Sequence, residues 1–104
     1  MALLSIVYPP KTPDETYIIS IDFAADLNAG ETITTRTVTA TRLRDGGTAT
    51  SDFLDGAPGG GETSKCTMRI KAGTSGETYR VKMVVVTSQA NTYEAEVDIP
   101  VEIP

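Results

Sequence analysis

The sequence predicts an all-β domain, an antiparallel β-sandwich of six to seven short strands, on three observations. The stretch 93–103 alternates Tyr93, Ala95, Val97, Ile99, Val101 and Ile103 with Glu94, Glu96, Asp98, Pro100 and Glu102, a period of two that marks a strand with one buried face. The run Val81-Lys82-Met83-Val84-Val85-Val86-Thr87 is dense in β-branched residues and follows a glycine-punctuated corner, Gly73-Thr74-Ser75-Gly76. Turn signals separate several further short alternating runs, and none carries a sustained helical period. A small barrel is the structural alternative.

In chain order, 1–13 reads as an N-terminal strand or arm, closed by Pro9, Pro10 and Pro13, which force extended backbone and stop a regular ladder. Tyr17, Ile19, Ile21 and Phe23 alternate with Ile18, Ser20 and Asp22 and form a strand. Residues 24–30 fit a single helical turn closed by Gly30, with Leu27 tucked beneath. Between 31 and 43, six threonines interleave with Ile33, Val38 and Ala40, a composition that favours a pleated surface. The 44–62 segment holds six of the nine glycines and reads as a flexible loop, with a short strand at 48–54 and its most mobile point at Gly59-Gly60-Gly61. Cys66, Met68 and Ile70 then alternate with polar neighbours, giving the strand that leads to the corner. All of this fits one domain, 1–104.

At the corner, Gly73 and Gly76 supply turns and Tyr79 opens the next strand. This placement resembles the tyrosine corner of immunoglobulin-like sandwiches, in which the phenol hydroxyl bonds upstream backbone; an ordinary core aromatic with a hydrated tip is the alternative. The closing hairpin needs an odd-length loop or a bulge, because an even loop sets inward positions against outward ones. A loop at 89–91 with Asn91 left-handed aligns Val81 with Ile99, Met83 with Val97 and Lys82 with Asp98. Pro100 donates no ladder bond, so the last strand is expected at an edge, or with that position facing solvent.

Composition excludes several classes of function. Nine Lys and Arg against 14 Asp and Glu leave a net charge of −5, which argues against nucleic-acid binding through phosphates. Without histidine, no Ser/His/Asp triad, Cys/His pair or usual zinc set can be assembled. The acids lie on an outward strand face or in a loop, where burial does not tune them, so the chain is not expected to be an enzyme or to hold a cofactor. Asp45, Asp52, Asp55 and Glu62 match no calcium-loop spacing, so no metal is expected. The glycines of 56–61 lack the Lys-Ser/Thr ending and following helix of a phosphate loop. The single Cys66, in phase with Met68 and Ile70, reads as a buried thiol. No apolar run approaches the ~20 residues of a membrane helix, and residues 2–8 lack the basic flank of a signal peptide.

Charge is uneven along the chain. Residues 65–82 hold five bases and one acid, and 85–104 hold four acids and no base; cross-strand pairing in the last hairpin accounts for this, with an electrostatic docking face as the alternative. Val84 and Val86 occupy the outward phase of their strand. Either the 2–8 arm covers them or they belong to a partner interface. Leu3, Leu4, Ile6 and Tyr8 of the arm, with Val84 and Val86, are therefore the candidate interface.

Three stretches together resemble the small immunoglobulin-like proteins of tailed-phage and prophage structural operons, the fibre-to-tail adaptor family. They are Lys11-Thr12-Pro13-Asp14-Glu15 leading into Ile19-Ser20-Ile21-Asp22-Phe23, then Leu27 and Gly30-Glu31-Thr32-Ile33; Ala72-Gly73-Thr74-Ser75-Gly76-Glu77-Thr78-Tyr79; and the closing hairpin 83–103. Phe23 stands where a tryptophan is more usual, and Ala72 replaces a first glycine. The resemblance implies a structural or adaptor protein of a virion, assembled in the bacterial cytoplasm, bound to other virion proteins and monomeric in isolation. A carbohydrate- or ligand-binding accessory domain is the rival, whose stacking surface would have to come from the tyrosines or Phe53.

Overall fold

The computed structural model describes residues 3–59 and 64–102. Its strands are β1 (Leu3–Val7), β2 (Tyr17–Asp22), β3 (Ile33–Arg42), β4 (Lys65–Ile70), β5 (Thr78–Thr87) and β6 (Thr92–Pro100), with one helical turn, α1 (Thr50–Phe53), between β3 and β4. Two sheets result, one in the order β1-β6-β5-β3 and one pairing β2 with β4. The chain is all-β, and the sheets form a sandwich-like pair.

The alternation seen in the sequence sets what lies between the sheets. Ile19 and Ile21 of β2, Cys66, Met68 and Ile70 of β4, Val81, Met83 and Val85 of β5, and Ala95, Val97 and Ile99 of β6 are all buried. Each large apolar side chain so placed contributes roughly 1.5–3 kcal/mol of transfer free energy. On β3, Val38 and Ala40 point inward, and the bulge between Ile33 and Thr35 lets Ile33 rejoin the buried face despite its odd spacing from Val38. Arg36 takes the inward phase level with Val85. Its Nε donates across the sandwich to the Lys65 carbonyl at 2.8 Å, tying one sheet to the other.

Four expectations are corrected. β1 runs parallel to β6, so the larger sheet is mixed; these strands come from opposite ends of the chain, and no hairpin dictates their direction. The final hairpin has the expected odd loop, but it is 88–90: Thr87 N–H bonds the Asn91 carbonyl at 2.9 Å, and Ala90, not Asn91, is left-handed at φ 62°. The register therefore pairs Val81 with Val97, Met83 with Ala95 and Lys82 with Glu96, two residues from the expected one with every face unchanged. β6 is an interior strand, and at Pro100, beyond β1, the carbonyl accepts from Lys11 N–H at 2.8 Å. Residues 48–54 hold no strand. Thr41 and Thr48 form an isolated bridge and α1 follows, its turn letting Phe53 reach the core.

At 24–30 the chain makes i to i+3 turns, from Asp26 N–H to Phe23 and from Leu27 N–H to Ala24, rather than a helix. Leu27 packs half-buried on the core. The 44–62 segment is tied to β4, with Asp55 N–H on the Arg69 carbonyl (2.9 Å) and Gly59 exchanging both backbone bonds with Thr67. Gly60, Gly61 and Glu62 lie outside the described residues.

Candidate interaction surfaces

The corner is built from contacts distant in sequence. Gly73 has φ 95°, and a Cβ there would sit 2.8 Å from Val101 Cγ2 and 3.1 Å from Phe53 Cε1. Glycine is demanded twice, by backbone conformation and by space. Gly76 (φ 89°) has open space around it and is required by conformation alone; its N–H bonds the Val101 carbonyl at 2.8 Å. The Tyr79 hydroxyl accepts the Thr74 N–H at 2.9 Å. Its ring stacks on Phe53 at 4.3 Å between centroids and 7° between planes.

Beneath the corner lies a residue the sequence reading passed over. Lys11 is wholly buried, and its Nζ donates to the Ala72 carbonyl (2.6 Å) and the Thr12 carbonyl (2.8 Å), 5.8 Å from the Phe53 ring centroid. Burial holds its ammonium below the usual lysine range, while Glu15 and Asp14 pull the other way. Its backbone also bridges to Val101. The cation thus pins the start of the domain to the glycine corner and the last strand. The signal was present: in Lys11-Thr12-Pro13-Asp14-Glu15, Glu15 Oε1 accepts the Thr12 N–H at 2.7 Å and closes a tight loop that fixes the lysine's approach.

At the opposite end, Glu31 is the hub. One carboxylate oxygen accepts from Asn28 N–H (2.8 Å), and the other from the Thr87 hydroxyl and from Asn91 Nδ2 (2.9 Å). These bonds hold the carboxyl below its ordinary range: the Asn28 amide contributes most, then Thr87, with Asn91 adding to them and desolvation opposing. Cys66 lies in the core between the sheets. Burial pushes its thiol up to about 11, against a smaller lowering from Arg36, so it presents no thiolate at neutral pH.

The outer face of the larger sheet carries the charge ladder. Arg80 grips Asp98 through two bonds, Nε to Oδ1 at 2.8 Å and Nη2 to Oδ2 at 3.0 Å, and lies 3.3 Å from Glu96. Lys82 reaches Glu94 at 3.6 Å. Val84 and Val86 follow on the same phase, half-buried, between Thr37 and Thr35 of β3 and Glu94 and Thr92 of β6. β1 does not lie over them. It joins the sheet plane beyond β6, with Leu3 level with Glu94, Leu4 with Ala95 and Ile6 with Val97. The side-chain surroundings of Leu3, Leu4 and Ile6 fall outside what the structure describes. Tyr8 is half-buried against the core, and its N–H bonds the Asp98 carbonyl, at the Arg80 level of the sheet. The six candidate interface residues are thus spread along the sheet, with two strand spacings, roughly 10 Å, separating β1 from β5.

Among the described residues no three potential metal ligands converge and no pocket is found. What the surface offers is backbone edges, a threonine-valine strip and paired charges. No curated protein matches the chain. One family model does, that of the podophage GP4 fiber-tail adaptor protein gp77, over residues 11–100. The match begins at the buried Lys11, takes in the corner with Gly73, Gly76 and Tyr79, and ends at Pro100, the last residue of β6. With nearly the whole sandwich inside that match, the chain belongs to the podophage GP4 fiber-tail adaptor protein gp77 family.

Proposed function

We propose that this protein is a non-enzymatic adaptor of a tailed-phage or prophage particle, holding tail and fibre components together through protein-protein contacts, and monomeric until it meets them. The family match over 11–100 carries the reading; it makes the role a structural one within the virion. An immunoglobulin-like form of the sandwich accords with the Tyr79 hydroxyl on Thr74 and with the distribution of strands, β2 and β4 against β3, β5 and β6. Assembly in the bacterial cytoplasm accords with a lone cysteine buried as a thiol.

The rival sugar-binding reading finds little support in the aromatics. Phe23, Phe53 and Tyr79 are buried, and Tyr8, Tyr17 and Tyr93 pack half-buried against the core, so none stands clear as a stacking platform. The test is genetic. Particles from a phage lacking this gene should carry tails without their fibres, and mass spectrometry of wild-type particles should find the chain. Fully fibred particles from the deletion would overturn the proposal.

A further inference from the structure

Among the described residues, the smaller sheet has one open side. Phe23 N–H donates to the Ser64 carbonyl at 2.8 Å, which sets the phase of the β2–β4 ladder. Tyr17, Ile19 and Ile21 direct their N–H and C=O groups at β4, and Ile18, Ser20 and Asp22 direct theirs away from it. The far side of β4 shows the matching phase and is closed, by Gly59 on Thr67 and by Asp55 on Arg69. Among the described residues nothing closes the far side of β2.

Other edges carry guards. β3 is bulged at Ile33/Thr35, and beyond Ala40 it is covered by Gly47 and Ala49; β1 runs into Pro9 and Pro10. β2, Tyr-Ile-Ile-Ser-Ile-Asp, has no proline, glycine, lysine or bulge, and Ile18 near its start is 55% exposed. Such an edge is a template for another strand.

Two observations select the occupant. A two-fold pairing of β2 with a second copy would bury on the order of 500 Å², short of the roughly 1,000 Å² a stable interface needs. In the two-fold registers that keep the bonding phase and overlap most of β2, Asp22 meets Thr16, Ile18 or Ser20 of the other copy and never a base. That carboxylate is kept ionised by the Ala24 amide first, then by Ser64 and Lys65, against desolvation. A segment of a different chain can place a cation there, and its parent's position in the particle supplies a high local concentration.

We propose that the free edge of β2 accepts an extended segment of another virion protein as an added strand, with an apolar residue beside Ile18 and a basic residue at the Asp22 end. The partner's identity as a virion protein rests on the structural role proposed above; the edge does not. The probe is the peptide acetyl-Lys-Val-Thr-Val-Val-Thr-amide, titrated into the 15N-labelled full chain up to millimolar concentration in place of the local concentration a particle supplies, with a version carrying Glu for Lys beside it. The expected result is shift changes centred on the Ile18, Ser20 and Asp22 amides, at least tenfold slower exchange at Ile18 and Ser20, and at least fivefold weaker binding of the Glu peptide. Ser20→Pro removes one outward N–H and leaves the β4 ladder whole; Ile18→Lys adds an edge guard without touching the backbone. Both should keep the wild-type melting temperature within a few degrees, lose the peptide response, and enter particles at no more than a tenth of the wild-type level.

Shifts scattered away from β2, or wild-type incorporation of both variants, would overturn the proposal. So would a wild-type dimer in sedimentation that Ser20→Pro dissolves, since the occupant would then be a second copy. Wild-type chain absent from particles would instead sink the structural role, and the peptide titration would still decide the edge.

Discussion

The phenol oxygen of Tyr79 lies 2.9 Å from the backbone nitrogen of Thr74 and accepts its hydrogen, so one side chain at the start of β5 satisfies the turn that delivers it. Tyr79→Phe keeps the stacking on Phe53 and removes only this part-buried bond, leaving the Thr74 N–H without its acceptor. Urea denaturation should show a loss of about 1 kcal/mol with an unchanged m-value. A loss indistinguishable from zero would mean that water replaces the phenol freely.

The glycines of the corner should separate by mechanism. Gly73→Ala meets left-handed strain and contact with Val101 and Phe53, and should cost about 2–4 kcal/mol. Gly76→Ala meets the strain alone, about 1–2 kcal/mol. Ala72 already sits at φ 50°, so Ala72→Gly should be neutral or stabilise by up to about 1 kcal/mol. The ordering of the three melting temperatures checks the account.

Lys11→Met keeps the buried stem and deletes the donor shared by Ala72 and Thr12. The orphaned carbonyls should cost about 1–3 kcal/mol. Hydrogen exchange should rise first at Lys11 and Glu102, whose amides bond Pro100 and Lys11, while the β2–β4 ladder stays protected.

Glu31 confers a pH dependence of known sign. Its folded carboxyl titrates below its ordinary 4.5, so between the two values the unfolded chain binds more protons and stability rises with pH. The contribution is complete above about 4.5 and is lost as pH falls through the folded value. Asp22 and Asp45 are also depressed, so the measurement is a difference: Glu31→Gln should be less stable than wild type at pH 7 and converge toward it in acid. Parallel curves would refute the assignment.

Cys66 should be inert in the folded chain. Fully buried and with its thiol raised to about 11, it should resist a thiol reagent such as Ellman's at pH 8 and react within minutes in denaturant. Rapid labelling of the native protein would show that the sheets part locally at β4.

Much of this architecture could be read locally. Strands β2, β4 and β6 declare themselves because Ile19/Ile21, Cys66/Met68/Ile70 and Ala95/Val97/Ile99 alternate with mostly polar neighbours, and β5 because it is dense in β-branched residues; both signals are properties of a few consecutive residues. The need for an odd closing loop follows from the same parity. Of the candidate interface, Val84 and Val86 could be assigned an outward phase, since only their position relative to Val85 was needed.

Alternation says which way a residue faces and not what lies beside it. A slip of two residues leaves every face unchanged, so packing at the hairpin chose Ala90 over Asn91 for the left-handed position and Val97 over Ile99 as the partner of Val81. Packing between segments far apart in sequence likewise laid β1 parallel to β6, drew Thr50–Phe53 into a helical turn under Tyr79, and buried the Lys11 ammonium against the Ala72 carbonyl 61 residues away. Residue types and their period decided the strands; the two-sheet assembly decided their neighbours, because burial and hydrogen bonding across the chain exist only once it has closed on itself.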